Sequence, residues 1–245
     1  MNRHFLALII VFFGFSLPAN ADILSVHCPL GCPANPAGND LIFGHVYALS
    51  NNPDTKFADW VAYEVSVLNF GISPGRAWKS DPLLDDNETL EASDYANVSS
   101  IDADRGHQAP LASFAGSHYW QELNYLSNIT PQHKNLNQGA WKNLEDAVRD
   151  AVKFRESLFV ITGTIYNDNA LKLPNANESH EIPTEYFKII YNLKGEAASF
   201  LMEQSTPKTT NYCTKHKVIS AISAKIDFGL PRLSNSPSLA AKLGC

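Results

Sequence analysis

The chain has 245 residues, of which 44% are hydrophobic and 18% charged, and its formal net charge at pH 7 is −6. This length suits one domain or two small ones that bury a substantial core, and the composition excludes a low-complexity protein. The acidity argues against a protein that coats nucleic acid through bulk positive charge, so any nucleic-acid partner must be held by a local basic patch.

The first 21 residues have the layout of a secretory signal peptide. Arg3 precedes an uncharged, mostly apolar run over residues 5–17, and small residues stand at the first and third places before a cut after Ala21. The apolar run is short for a membrane span, and an uncleaved anchor is the alternative. We expect cleavage after Ala21, a single domain over residues 22–245, and a secreted or periplasmic protein without a membrane anchor.

Two β-rich stretches follow, at residues 41–51 and 57–68, and they predict a hairpin or two neighbouring strands. Residues 71–100 are rich in Pro, Gly, Asp, Asn and Ser, which is typical of loop. Residues 124–130 are a short strand candidate.

The clearest predicted helix spans residues 137–154. Trp141, Leu144 and Val148 fall on one helical face, and charged residues lie off that face. This pattern predicts that the helix packs its apolar face against a core.

The rest of the chain adds more strands than helices. We predict strands at residues 157–167, 185–193 and 197–203, then helices at residues 217–226 and 236–243. Strand clusters mixed with a few helices, without regular βαβ alternation, predict an α+β fold with a largely antiparallel sheet.

The cysteines predict disulfide bonds. The mature chain contains Cys28, Cys32, Cys213 and Cys245, and an even count in an exported protein indicates disulfides. Cys28 and Cys32 lie in "CPLGC", whose proline and glycine favour a turn that closes a small ring, which leaves Cys213 for Cys245. A metal site is the alternative, although Cys-x-x-Cys or paired-histidine spacing is lacking.

The candidate chemistry lies within residues 104–149. A strand or loop carries His107, the strand candidate follows, and the helix opens at Asn137. Such a β–β–α unit brings the end of one strand beside the first part of the helix. We therefore expect His107 and Asn137 to face one another across a small cleft.

Several motifs in this order resemble the DNA/RNA non-specific endonucleases, in particular the secreted Serratia-type nucleases. The motifs are "DRGHQAPLASF" (104–114), "LNYLSNITPQ" (123–132) and "LNQGAWKNLED" (136–146), with "RAWKSDP" (76–82) upstream. The resemblance implies a ββα-metal (His-Me finger) core on a largely antiparallel sheet flanked by helices. It also implies an enzyme that hydrolyses the phosphodiester bonds of DNA and RNA to 5′-phosphorylated products.

The resemblance gives His107 and Asn137 the central roles. It implies that His107 is the general base, and histidine is the side chain best suited to accept a proton near neutral pH. It implies that Asn137 holds a divalent cation, Mg²⁺ with Mn²⁺ as a substitute, and magnesium prefers oxygen ligands. Without the resemblance, His107 would be a surface or packed residue and Asn137 a helix N-cap.

The remaining site residues also follow from the resemblance. It assigns Glu145 to the water shell of the cation and Arg149 to a phosphate, whereas spacing alone predicts an i,i+4 surface pair. Arg105 and Arg76 are expected to bind phosphate through their guanidinium groups, and Asn128 to support the geometry as a second active-site asparagine. We expect Asp104 to orient its own loop or Arg105.

The implied partners are DNA and RNA, with a second copy of the chain in a homodimer. A catalytically inactive nucleic-acid-binding relative and a nuclease toxin are the alternative functions. Nothing in the sequence resembles a base-reading helix, so we expect weak sequence preference, because phosphate contacts position a protein without specifying bases.

Overall fold

The computed structural model describes residues 23–72, 74–167 and 171–245, and the predicted signal peptide lies outside them. The described strands are β1 (Asp40–Phe43), β2 (Ala48–Asn52), β3 (Phe57–Val65), β4 (Ala103–His107), β5 (Ile129–His133), β6 (Leu158–Ile165), β7 (Glu185–Tyr191), β8 (Glu196–Glu203), β9 (His216–Lys217) and β10 (Ser234–Asn235). The described α-helices are α1 (Lys134–Leu136), α2 (Lys142–Ala151), α3 (Ile219–Ser223) and α4 (Pro237–Lys242).

One large sheet dominates the described chain. Seven of its eight strands follow the order β1-β2-β3-β6-β7-β8-β10, and the eighth, β9, pairs with β8. Only β10 runs parallel to its neighbour among these described strands. The predicted α+β class with a largely antiparallel sheet is therefore confirmed.

Two predicted strands differ from the structure. The stretch over residues 41–51 is divided into β1 and β2, because the Gly44 amide donates to the Tyr47 carbonyl and turns the chain. The stretch over residues 124–130 is mostly 3₁₀ turns, and β5 begins only at Ile129. Polar side chains that bond to backbone favour such turns over strands.

Both faces of the sheet centre are covered. All eight residues of β6 are buried, and their side chains alternate between two cores: Val160 faces one and Ile161 the other. Helix α2 covers the first face through Leu144 and Val148, as its periodicity predicts, and α3 covers the second. No helix within the described ranges is long and apolar enough to cross a membrane.

Strands β4 and β5 form a separate antiparallel pair, in which His107 lies opposite Ile129. The Ile129 side chain belongs to a third small core that includes Phe57 and Tyr95. The Tyr95 hydroxyl donates to the Ile129 carbonyl at 3.0 Å. The pair is followed directly by α1 and α2, so the chain forms the expected β–β–α unit.

Two disulfide bonds join the predicted pairs, Cys28–Cys32 and Cys213–Cys245. The second bond attaches the end of the chain beyond α4, whose Leu239 packs into the core on the α2 face. The long-range bond therefore holds a terminal helix that contributes to the main core.

We expect that the double variant Cys213→Ser/Cys245→Ser, which leaves Cys28–Cys32 intact, is less stable than the native chain. The bond closes a loop with a sequence separation of 32, and loop-closure entropy predicts a loss of about 3 to 4 kcal/mol in the free energy of unfolding. Urea denaturation measures this loss. Both cysteines lie outside the buried core, so the change in stability is attributed to the bond and not to the serine side chains. An unchanged free energy of unfolding would show that the bond does not stabilise the fold.

Candidate active site

A cavity of about 600 Å³ opens beside the β–β–α unit. It is lined by strand β4, by the turn between α1 and α2, by one side of α2 and by the loop before residue 80. Six of the seven predicted catalytic and metal residues lie on its wall: Arg76, Arg105, His107, Asn137, Glu145 and Arg149. The structure thus brings together side chains that are far apart in the chain.

His107 is the last residue of β4 and is half-buried. Its Nε2 lies 3.4 Å from Asn124 Oδ1. With that oxygen as acceptor, Nε2 carries the ring proton and Nδ1 keeps the lone pair. Burial, aided by the Arg76 charge, lowers the pKa of His107 to about 4, although the Asn124 hydrogen bond raises it. The imidazole is therefore neutral and able to accept a proton at neutral pH.

Asn124 is a contact of His107 that the sequence analysis did not predict. It is buried at the end of a 3₁₀ turn, and its carbonyl accepts a hydrogen bond from the Lys79 amide at 3.1 Å. Its side chain orients His107, and its backbone anchors the loop that carries Arg76. The sequence signal for Asn124 is its place in "LNYLSNITPQ", the motif that also contains Asn128.

Asn128, that second asparagine, does not line the cavity. Its Oδ1 accepts from the Ala109 amide at 2.8 Å, and its Nδ2 donates to the Ala109 and Leu123 carbonyls at 3.0 Å each. The amide is fully buried and holds the two segments that flank His107 and Asn124. Its contacts support the geometry of the site from behind the wall.

The side chain of Asn137 is held by a hydrogen bond to Asp104. Asn137 Nδ2 donates to Asp104 Oδ2 at 2.9 Å, and Gln138 Nε2 donates to the same oxygen at 2.9 Å. This bond leaves the amide oxygen of Asn137 for another partner. We expected Asp104 to orient its own loop or Arg105, and the described bonds of its carboxylate go instead to the helical segment, which it supports.

The alternative that Asn137 is the N-cap of a helix was wrong. Helical structure begins at Lys134, and the cap is His133, whose side chain accepts from the Asn135 amide. Asn137 itself has helical dihedral angles and begins a π-helical turn that runs to Trp141. Single π turns of this kind are frequent at functional sites.

A close backbone approach explains the π turn. Gly139 has non-helical angles, φ −114° and ψ −116°. A Cβ atom at Gly139 would lie 2.5 Å from the Lys208 carbonyl oxygen, so only glycine lets this loop approach. The kink between α1 and α2 thus depends on a contact with a distant part of the chain.

Arg105 is held between two aromatic rings. Its guanidinium carbon lies 5.6 Å from the Trp78 ring centroid and 5.5 Å from that of Tyr95. One terminal nitrogen donates to the Ala92 carbonyl at 3.3 Å. Cation–π contacts fix the direction of the planar group and leave its charge at the cavity wall.

The charge of the cavity is opposite to that of the chain. Its wall carries four permanent cations, Arg76, Arg105, Lys142 and Arg149, against the two carboxylates Asp104 and Glu145. The cavity wall is therefore a local basic patch, which a nucleic-acid partner of so acidic a chain would need. Several guanidinium groups on one wall suit a phosphate, which each can bind through two hydrogen bonds.

Glu145 and Arg149 are not a simple surface pair. Arg149 forms an ion pair with Asp146 and lies 3.5 Å from the Ser113 hydroxyl. Glu145, with 13% of its side chain exposed, lies 3.6 Å from the ammonium of Lys188. Burial raises the pKa of Glu145, and the Lys188 and Arg149 charges oppose that increase. The i,i+4 alternative was therefore wrong for the principal contacts of both side chains.

Comparison with known proteins agrees with this geometry. The profile of the DNA/RNA non-specific endonuclease family matches residues 27–231. A nuclease of Serratia marcescens is 39% identical over 250 aligned positions, which cover 94% of each chain. Human mitochondrial endonuclease G is 28% identical over 158 residues, covering 59% of this chain and 52% of that protein. The fold resembles the solved EndoG/EndoGI complex, with a TM-score of 0.70, 18% identity, and coverage of 84% of this chain and 92% of that one.

We expect the variant Arg76→Gln to raise the pKa of His107. The Arg76 charge disfavours the imidazolium, so its loss moves the pKa up from about 4 towards the ordinary value, while burial still keeps it below 6.5. NMR titration of the His107 ring measures the shift. Arg155→Gln removes an exposed arginine outside the cavity as a matched control, and equal shifts in both variants would contradict the assignment.

Proposed function

The chain belongs to the DNA/RNA non-specific endonuclease family, and on that premise we propose that it is a metal-dependent endonuclease that hydrolyses phosphodiester bonds of DNA and RNA in the described cavity. The observation that carries the proposal is the meeting of a neutral imidazole, an anchored carboxamide and three arginines on one wall. Phosphodiester hydrolysis requires a proton acceptor, positive charge near the leaving oxygen and charge relief on the phosphate. The neutral carboxamide serves the second requirement as an oxygen ligand for a cation.

His107 acts as the general base. Its lowered pKa keeps the ring neutral at neutral pH, and its contact with Asn124 keeps the lone pair on Nδ1. The ring takes a proton from the attacking water as the new P–O bond forms. The bond to the 3′ oxygen breaks, so the phosphate remains on the 5′ side of the product.

Two residues that line the cavity together with His107 fit a divalent cation with oxygen ligands. Within residues 23–72, 74–167 and 171–245 no group of three His, Cys, Asp or Glu is placed to share a metal ion. The Asn137 carboxamide, held by Asp104, offers an oxygen, and Glu145 offers a carboxylate nearby on the same wall. We assign Asn137 as the direct ligand and Glu145 as acceptor for water on the ion, since Mg²⁺ commonly keeps several waters. A cation held there would supply positive charge near the leaving oxygen and would favour its protonation.

The arginines bind the phosphate. Arg105 is fixed by its aromatic neighbours and Arg149 by Asp146, so both present oriented donors at little further cost in side-chain entropy. Arg76 is exposed on its loop and also contributes the charge that keeps His107 neutral. Contacts to phosphate alone suit a site that accepts both DNA and RNA with weak sequence preference.

The finer proposals follow the same premise. They are Mg²⁺ as the ion with Mn²⁺ as a substitute, export after removal of residues 1–21, a single domain over residues 22–245, and a homodimer. A catalytically inactive relative would lack part of the catalytic set. In this chain six of the seven residues of that set line the cavity, and Asn128 supports the cavity wall from behind.

We expect His107→Ala to lower the rate of cleavage of plasmid DNA and total RNA by about 10²- to 10⁴-fold, the usual contribution of a positioned base. Gel electrophoresis of timed digests, with Mg²⁺ or EDTA, measures the rate. His118→Ala changes an exposed histidine outside the cavity and is the matched control. Full activity of the His107 variant would exclude this imidazole as the base.

We expect Asn137→Ala to raise the Mg²⁺ concentration that gives half-maximal cleavage, because the variant lacks the only assigned direct ligand. A titration of rate against Mg²⁺ measures this, and Gln138→Ala, which removes the neighbouring amide on Asp104, is the matched control. An unchanged Mg²⁺ requirement in the Asn137 variant would show that the ion is held elsewhere.

A further inference from the structure

A lysine lies buried behind the cavity wall. Lys188 is in the middle of β7 and has no exposed surface. Its Nζ donates to the Tyr63 hydroxyl at 3.1 Å, lies 4.2 Å from the Trp141 ring centroid, and is 3.6 Å from Glu145 Oε1. Lys188 thus connects the central sheet to the buried carboxylate oxygen of Glu145, whose side chain lines the cavity.

A buried ammonium is expensive for the fold. Removing a lysine charge from water carries a large desolvation cost, and replacing a whole buried ion pair by well-packed apolar side chains is often neutral or stabilising. Burial lowers the pKa of Lys188 to about 8, and the neighbouring carboxylate of Glu145 raises it, so the amine is mostly charged at neutral pH. Stability alone therefore gives little reason for a lysine at this position.

Glu145 connects the lysine to the cavity. Its Oε1 is buried without a hydrogen-bond donor in the described structure, and Lys188 is the cation that faces it from the sheet. The other charged or titratable groups around it are Arg149 and Asp146 on α2 and Tyr63 on β3. With Oε1 drawn inward, the second carboxylate oxygen is the one available to the cavity.

We propose that Lys188 is a positioning residue of the catalytic site: a buried counter-ion that holds the Glu145 carboxylate with one oxygen drawn towards the sheet and the other directed at the cavity. This inference rests on the proposed function. Lys188 does not line the cavity, so it acts through Glu145 and does not touch the substrate.

A double-mutant cycle tests the proposal with the variants Lys188→Met, Glu145→Gln and the two together. We expect Lys188→Met to lower kcat roughly 10- to 100-fold, as loss of a group that orients a metal-site residue usually does, with KM for DNA little changed. In the E145Q background the same substitution has almost no further effect on kcat, because its target is gone. A merely structural role predicts the same loss of kcat in both backgrounds, and that result would overturn the proposal.

A second measurement does not depend on activity. Urea unfolding in EDTA gives the folding equilibrium constant of the native chain, the two single variants and the double variant. We expect the decrease caused by Lys188→Met to be at least tenfold smaller in the E145Q background than in the native background. Additive effects on folding would show that the two charges do not interact. Lys188→Gln replaces Lys188→Met in both measurements should the latter not fold, since it also removes the charge.

Two controls separate this proposal from the one it rests on. Tyr63→Phe removes the hydroxyl bonded to Lys188 but leaves the charge, and kcat should stay within about threefold of the native value, because the Coulombic attraction to Glu145 persists. A native chain that cuts no nucleic acid would refute the proposed function. Normal cleavage that requires His107, together with additive effects of the Lys188 and Glu145 variants, would refute the Lys188 proposal alone.

Discussion

The packing of α2 on the central sheet is the contact on which the rest of the structure depends. Trp141, Leu144 and Val148 are buried against the α2 face of the sheet, and this contact fixes the rotation of the helix about its axis. Glu145 and Arg149 then point to the side where β4 ends, and both reach the cavity. The residues that stabilise the fold therefore also determine which polar side chains meet His107.

The polar groups of the site are organised in layers behind the cavity wall. Asn124 holds His107, Asp104 holds Asn137, and two aromatic rings hold Arg105. Each arrangement limits the motion of a side chain on the cavity wall. Under the proposed function this matters, because charges that are already oriented stabilise a transition state without the cost of reorganisation. The acidic surface of the rest of the chain does not oppose this, because electrostatic screening confines the effect of exposed charges to about 10 Å.

The sequence was sufficient for local features and insufficient for those that depend on distant contacts. Periodicity predicted the buried face of α2, and turn chemistry predicted the ring at Cys28–Cys32. The π turn that begins at Asn137 depends on the approach of Lys208 to Gly139, which no local pattern records. Lys188 lies in a strand buried on both faces, where the alternation that separates inward from outward residues is absent.

The buried Asn128 has a consequence for the cell that makes this protein. It begins the tripeptide Asn-Ile-Thr, an acceptor for N-linked glycans, yet its amide nitrogen is engaged in two hydrogen bonds inside the protein. A sugar chain attached during synthesis would occupy the space where residues 109 and 123 meet, and the segment before β5 could not close. Production in a eukaryotic secretory pathway is thus in conflict with folding at this tripeptide, whereas a bacterial host without that modification meets no such obstacle.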